Sequence, residues 1–225
     1  MASPTRSAVL VHGIGRTPAS MLLLAARLRR AGLTCHLFGY LAAFESFDRI
    51  TARLARRLQR VADGPYIAVG HSLGGLLLRA AVHALPSSVA RPEHLFLLGT
   101  PNSSARVARR LRRWLPYRLV HGDCGQLLAD PSRIDAVPCP EVPMTLVVGT
   151  GGWRGRWSPF GSEENDGMVA VSEVVRDGAP LVRLPVWHTF MMNSRDVLEL
   201  ICARLHGLTP RGSRGARRNR STQGL

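Results

Sequence analysis

The feature that most constrains this chain is the run Tyr66-Ile67-Ala68-Val69-Gly70-His71-Ser72-Leu73-Gly74-Gly75-Leu76-Leu77-Leu78. Four apolar residues ending in Gly70 fit a buried strand, and Leu76 to Ala84, free of Gly and Pro, has the length and composition of a buried helix. Ser72 sits at the junction. A strand that reverses into a helix within two residues forces its central residue into a strained conformation and brings neighbouring backbone close, which Gly70 and Gly74 permit. The Ser72 hydroxyl is then lifted out of the fold. The first free N–H groups of the helix point at the same spot, where an anionic oxygen can be held. In this strand–turn–helix context Gly70, His71, Ser72 and Gly74 form a nucleophile elbow, G-x-S-x-G. The competing reading is a tight turn whose serine only caps the helix.

Strands and helices alternate around this element. Apolar strands are expected at Ser7 to Val11, Thr34 to Phe38, Leu95 to Gly99, Met144 to Gly149 and Leu181 to Leu184. Helices are expected from Ser20 to Ala31, from Asp48 to Ala62 and from Ser194 to Leu205, with Ile50, Leu54, Leu58 and Val61 forming the apolar stripe of the second. Parallel neighbours need helical crossovers, so the fold class is α/β: a doubly wound, mostly parallel sheet flanked by helices. One domain is expected over residues 1–207. An insertion at about 101–143 breaks the rhythm, with a short basic helix from Ser104 to Leu115 followed by an irregular stretch punctuated by Pro131, Pro138, Pro140 and Pro143. It is read either as a cap over a cleft or as a plain surface excursion. The arginine-rich tail, 208–225, is expected to be disordered.

All 30 basic residues are arginine, against 15 acidic residues, for a net charge of +15. Such a field favours anionic surfaces or substrates. The arginines are nevertheless spread over several helices as solvated faces, so peripheral contact with an anionic membrane is left open while nucleic acid is not expected as a partner. Met1 to Ser7 is short and polar and is followed by no apolar signal core, and no apolar run approaches the ~18 residues of a membrane span, so the expected location is cytoplasmic. Cys35 and Cys202 fall in apolar stretches and are expected in the core. Cys124 and Cys139 flank one loop region and are the pair for which a bridge is considered. No cysteine spacing suggests a metal, and none is expected.

A serine hydroxyl is a weak nucleophile unless a base takes its proton, and the base needs a carboxylate to fix its tautomer. These partners are sought in the order serine, acid, histidine at the ends of later strands. Of His83, His94, His121, His188 and His206, only His188 follows a late strand in a loop. Asp166, beside Gly167 and after the strand ending at Gly149, is the acid. Its competitors are Glu163, Glu164 and Asp177, the last in what reads as an ordinary Asp177-Gly178 turn. Two backbone donors are needed for an oxyanion: Leu73 supplies one, and Ile14, in the turn His12-Gly13-Ile14-Gly15, supplies the other. His12, Trp114, Trp153 and Trp187 are the candidates for substrate contact.

His12-Gly13-Ile14-Gly15, Gly70-His71-Ser72-Leu73-Gly74-Gly75, Gly99-Thr100-Pro101-Asn102, Asn165-Asp166-Gly167-Met168-Val169 and His188 together resemble the bacterial lipase and esterase branch of the α/β-hydrolase superfamily. The resemblance runs from about Val9 to Phe190. It implies Ser72 as nucleophile, Asp166 as acid, His188 as base and the N–H groups of Ile14 and Leu73 as oxyanion donors. It further implies hydrolysis of a carboxylic ester, a small molecule or a lipid, through an acyl-enzyme without a cofactor. Secreted lipases of this kind carry a signal peptide, a larger lid and in some cases a calcium site. This chain is expected instead to be a small intracellular esterase, thioesterase, acyltransferase or lipid-remodelling hydrolase. The alternative of another class is a non-catalytic hydrolase-fold protein that binds anionic lipid or nucleic acid through its arginines.

Overall fold

The computed structural model describes residues 6–176 and 178–208. Its frame is a six-stranded sheet in the order β2-β1-β3-β4-β5-β6, with every neighbouring pair parallel. The strands are β1 (Ser7–Val11), β2 (Thr34–Phe38), β3 (Tyr66–His71), β4 (His94–Leu98), β5 (Met144–Gly149) and β6 (Leu181–Leu184). β3 lies between β1 and β4 and is buried along its whole length. A strand covered on both faces reads as a continuous apolar run, which is why Tyr66 to Val69 shows no polar alternation.

The period-two alternation of β1 divides the interior into two layers. Val9 and Val11 face a core made with α2 (Phe47–Gln59) and α3 (Leu73–His83), while Ala8 and Leu10 face α1 (Leu22–Arg30) and α8 (Arg195–Leu208). α2 is capped by Ser46, whose side chain accepts from the Arg49 N–H at 3.3 Å, and it buries Ile50, Leu54 and Leu58 completely. Truncating any of these three to alanine would cost about 2–5 kcal/mol. α1 begins at Leu22, not Ser20, because Pro18–Met21 forms a 3₁₀ turn first and the Ser20 hydroxyl donates to Thr17 O at 2.8 Å.

The segment between β4 and β5 departs from expectation. It is largely helical: α4 (Arg106–Leu111), α5 (Leu115–Ala129), bent at Gly122 with φ +51°, and α6 (Pro131–Asp135). Pro116 and Pro131 sit in the first turns of α5 and α6, where a missing N–H costs nothing, so Pro131 starts a helix where the sequence suggests interruption. A short α7 (Val171–Val174) precedes β6.

All four cysteines are free thiols, so the bridge considered for Cys124 and Cys139 is not formed. Cys124 is buried inside α5, whereas Cys139 lies outside that helix. Cys35 is buried and Cys202 is half-buried. Among the described residues no helix is long and apolar enough to cross a membrane. Asp177 of the expected turn and the basic tail beyond Leu208 lie outside the described residues.

Candidate active site

β3 ends at His71, and Ser72 follows with φ +53° and ψ −124°, the one positive φ at a non-glycine position among the described residues. Such a backbone costs about 1–3 kcal/mol and persists only where its surroundings enforce it. Two bonds do so: Ser72 N–H donates to Leu98 O at 2.8 Å, and Gly75 N–H donates to Ser72 O at 3.0 Å. The turn is also closed by contact. A Cβ on Gly70 would lie 2.5 Å from Gly75 N, and one on Gly74 would lie 2.5 Å from both Val11 O and His12 O.

Asp166 and His188 meet beyond the ends of β5 and β6. His188 Nδ1 lies 2.6 Å from Asp166 Oδ2, and His188 N–H donates to Asp166 O at 2.9 Å. The other carboxylate oxygen, Oδ1, accepts from the N–H groups of Met168 (3.0 Å) and Val169 (2.7 Å). The turn that presents Asp166 is tied by Asn165, whose Oδ1 accepts from Gly167 N–H at 2.9 Å, with Gly167 at φ +94°. With the carboxylate on Nδ1, that nitrogen carries the proton and Nε2 remains the free base of the ring. Ser72 and His188 line one cleft.

His71 braces this arrangement from below. It is fully buried, its ring lies 4.7 Å from that of His188, and its Nε2 donates to His188 O at 3.0 Å. Burial pushes its pKa well below 6.5, with the charges of His188 and Arg16 adding to the effect.

The loop after β1 is held by His12. Its Nδ1 donates to Gly13 O at 2.9 Å, its Nε2 accepts from Tyr40 N–H at 3.4 Å, and its ring stacks on Tyr40 at 4.3 Å. These partners fix a neutral imidazole, and burial lowers its pKa accordingly. A trans peptide points its C=O and N–H in opposite directions. Holding Gly13 O against His12 therefore turns the N–H of Ile14 the other way, on a residue that lines the cleft. Leu73, first in α3, has an N–H that the helix cannot use. Neither N–H finds an acceptor among the described residues.

The cleft above Ser72 has a volume of about 710 Å³ and a mainly apolar wall from α4, α5 and the turn after Asp166, including Leu111, Val120 and Met168. Of the four residues expected to touch substrate, Trp114 lines it. The other three do not. His12 is spent on the loop and on Tyr40, Trp153 is exposed, and Trp187 covers Gly167 from outside.

Among the polar residues of the wall, Arg16 and His121 had no role assigned from the sequence. Arg16 follows the loop after β1, and His121 has a buried Nδ1 without a hydrogen-bond partner among the described residues. Only the position of Arg16, two residues beyond Ile14, offered a signal. Glu163 and Glu164 are engaged by arginines instead of by His188. The arrangement as a whole can activate a serine, hold an anionic oxygen beside it and accommodate an apolar group above it.

No family model matches the chain, and no curated protein matches its sequence. Solved structures do match. An extracellular α/β-hydrolase from a Paenibacillus species aligns over 89% of this chain and 98% of its own, with a TM-score of 0.57 and 14% identity. The chain has the α/β-hydrolase fold. A soluble variant of monoglyceride lipase from Saccharomyces cerevisiae shares that fold with it at a TM-score of 0.62 and 11% identity, covering 92% of this chain and 87% of the lipase. The thioesterase domain from the curacin biosynthetic pathway does so at 0.56 and 15% identity, covering 90% and 91% respectively.

Proposed function

We propose that the protein is a serine hydrolase that cleaves a carboxylic ester or thioester with an apolar acyl part. The carrying observation is the buried Asp166–His188 pair, which leaves His188 Nε2 free in the same apolar cleft as the strained Ser72. In this reading Ser72 Oγ attacks the carbonyl carbon while His188 Nε2 takes its proton, and Asp166 orients the ring without itself becoming protonated. The Ile14 and Leu73 N–H groups receive the charge on the carbonyl oxygen. As the tetrahedral species collapses, His188 returns the proton to the leaving alcohol or thiol, and an acyl group remains on Ser72. Water then repeats the sequence and releases the acid. The wall built from 101–143 is the cover of the cleft, and a volume of about 710 Å³ is in the range of small-ligand sites. The lipase and thioesterase folds among the similar structures support this class of substrate.

Labelling by a fluorophosphonate tests the reading. Wild type is expected to label, Ser72→Ala and His188→Ala are not, and Asp166→Asn is expected to lose about 10⁴ in kcat while still folding. Folded wild type that fails to label would overturn it. A series of acyl esters and thioesters then separates the two leaving groups.

A further inference from the structure

In a parallel sheet every segment that leaves the C-terminal end of a strand starts at the same edge of the molecule. The large apolar side chains left exposed are concentrated in those segments. Among the described residues all but Val175, on the return to β6, lie before or at the start of a crossover helix: Leu22 and Leu23 at the start of α1, Leu41 and Phe44 between β2 and α2, Trp114, Leu115, Leu119 and Val120 from the α4–α5 turn into the start of α5, Trp153, Trp157 and Met168 between β5 and α7, and Trp187 and Phe190 between β6 and α8. Scattered exposed apolar residues need no account, but their concentration in the stretches that follow strands does. The edge at which those stretches start is also the one onto which the Ser72 cleft opens.

The α4–α5 turn says what covers it. Trp114, Leu115, Leu119 and Val120 are 60%, 61%, 66% and 55% exposed. Between and beside them stand Arg109, Arg110, Arg112, Arg113 and Arg118, all exposed, and no acidic residue occurs from Ser103 to Gly122. Tryptophan with aliphatic side chains suits the boundary between headgroups and acyl chains, and arginine stems extend along apolar surface while their guanidinium groups reach lipid phosphates. Nucleic acid would use the arginines and the tryptophan but leave Leu115, Leu119 and Val120 without purpose. Trp114 and Val120 are at the same time wall residues of the cleft.

We infer that the C-terminal edge of the sheet, centred on the α4–α5 turn, docks on a bilayer carrying anionic lipid, so that the cleft receives ester substrates from that surface. The substrate clause rests on the proposed hydrolase function, whereas the docking does not. Each arginine near an anionic surface contributes about a fivefold factor in partitioning.

The test is co-sedimentation of the full chain with vesicles of pure phosphatidylcholine and with vesicles of equal parts phosphatidylcholine and phosphatidylglycerol, alongside turnover of a short water-soluble ester. Binding to the mixed vesicles is expected, weakening with salt. It should fall about a hundredfold or more in R109Q/R110Q/R112Q/R113Q, and at least tenfold in L115S/L119S, with turnover of the soluble ester retained in both variants. A third variant replaces Arg211, Arg214, Arg217, Arg218 and Arg220 by Gln. Binding lost in that variant and intact in the other two would overturn the assignment. So would binding that ignores L115S/L119S and is competed by single-stranded DNA, which would make the surface a nucleic-acid site. Wild type that turns over the soluble ester but ignores mixed vesicles overturns the docking alone. Docking without any turnover overturns the hydrolase reading alone.

Discussion

Gly74→Ala sets the elbow against the loop after β1, which the proposed function uses as one side of the oxyanion hole. The added Cβ would lie 2.5 Å from Val11 O and His12 O and 2.9 Å from Val11 C. Ordinary contact begins near 3.4 Å, so the methyl group is short of room by about 0.9 Å. Both obstacles are backbone, so no side-chain rotation relieves them. Either α3 moves away from β1 or the end of β1 moves away from α3. In both cases Leu73, which rides on α3, separates from Ile14, which rides on the loop.

A donor bond of about 2.9 Å stretched by most of an ångström is no longer a hydrogen bond. The expected loss is that of one oxyanion donor, about 10²–10³ in kcat, with little change in KM for an apolar ester. Overpacking adds about 1–3 kcal/mol of destabilisation, or a fall in Tm of about 2–12 °C. Steady-state kinetics well below the melting point, paired with a thermal melt, separates the two effects. A folded G74A variant whose kcat stays within threefold of wild type would refute the placement of the oxyanion between Ile14 and Leu73. Gly75 offers a contrast, because its added Cβ would meet the Thr100 side chain, 2.0 Å from Oγ1. Pairing Gly75→Ala with Thr100→Gly should restore stability, a rescue that Gly74→Ala cannot have.

His12→Phe keeps a ring on Tyr40 but frees Gly13 O, so kcat should fall by about tenfold or more while the protein stays folded. An unchanged kcat would show that the loop holds its shape without the imidazole. His12, His36, His71, His94 and His121 all have pKa values lowered below 6.5, mainly by burial. Below 6.5 the unfolded chain therefore binds protons that the native state refuses. Their stabilising contribution is complete above 6.5 and is lost as pH falls, at up to about 1.4 kcal/mol per pH unit for each proton. Urea midpoints across that range measure the slope, and His71→Gln should flatten it. Arg106 bridges Glu163 at 2.7 Å and the buried Glu173 at 3.4 Å. Arg106→Ala should cost about 1–3 kcal/mol and expose 101–143 to limited proteolysis, and equal protease resistance would argue against Arg106 as the anchor of that segment.

The elbow was legible because its constraints are local. Gly70 is a glycine because of Gly74 and Gly75, a few residues along the chain, and the Asn165-Asp166-Gly167 turn carries its own signal; Gly74, which faces Val11 and His12, is readable only as part of the G-x-S-x-G pattern. The sheet was legible because each buried strand is a short apolar run. Helix α5 was not, since Pro116 and Pro131 have the same letter whether they interrupt a helix or begin one. His121 drew no role because only the bend at Gly122 and the return of α5 over the oxyanion loop bring it beside Gly15. Buried charge was invisible for a related reason. Arg79 is wholly buried and donates to Asn102 Oδ1 and Val137 O, both at 2.6 Å, partners 23 and 58 residues away. Trp153 and Trp187 do not line the cleft: aromatic content marks surfaces of contact without saying which surface.

The chain order of Ser72, Asp166 and His188 has a consequence for how the protein comes into being. Position 72 emerges from the ribosome long before 166 and 188, and the carboxylate and imidazole that would act on Ser72 are the products of the last two strands laid onto the sheet. A nascent chain that has completed its elbow carries the strained serine before His188 has been made. If Ser72 is the nucleophile of the proposed reaction, the onset of reactivity during refolding times the docking of β6 and the turn behind it, a closure between parts of the chain far apart in sequence.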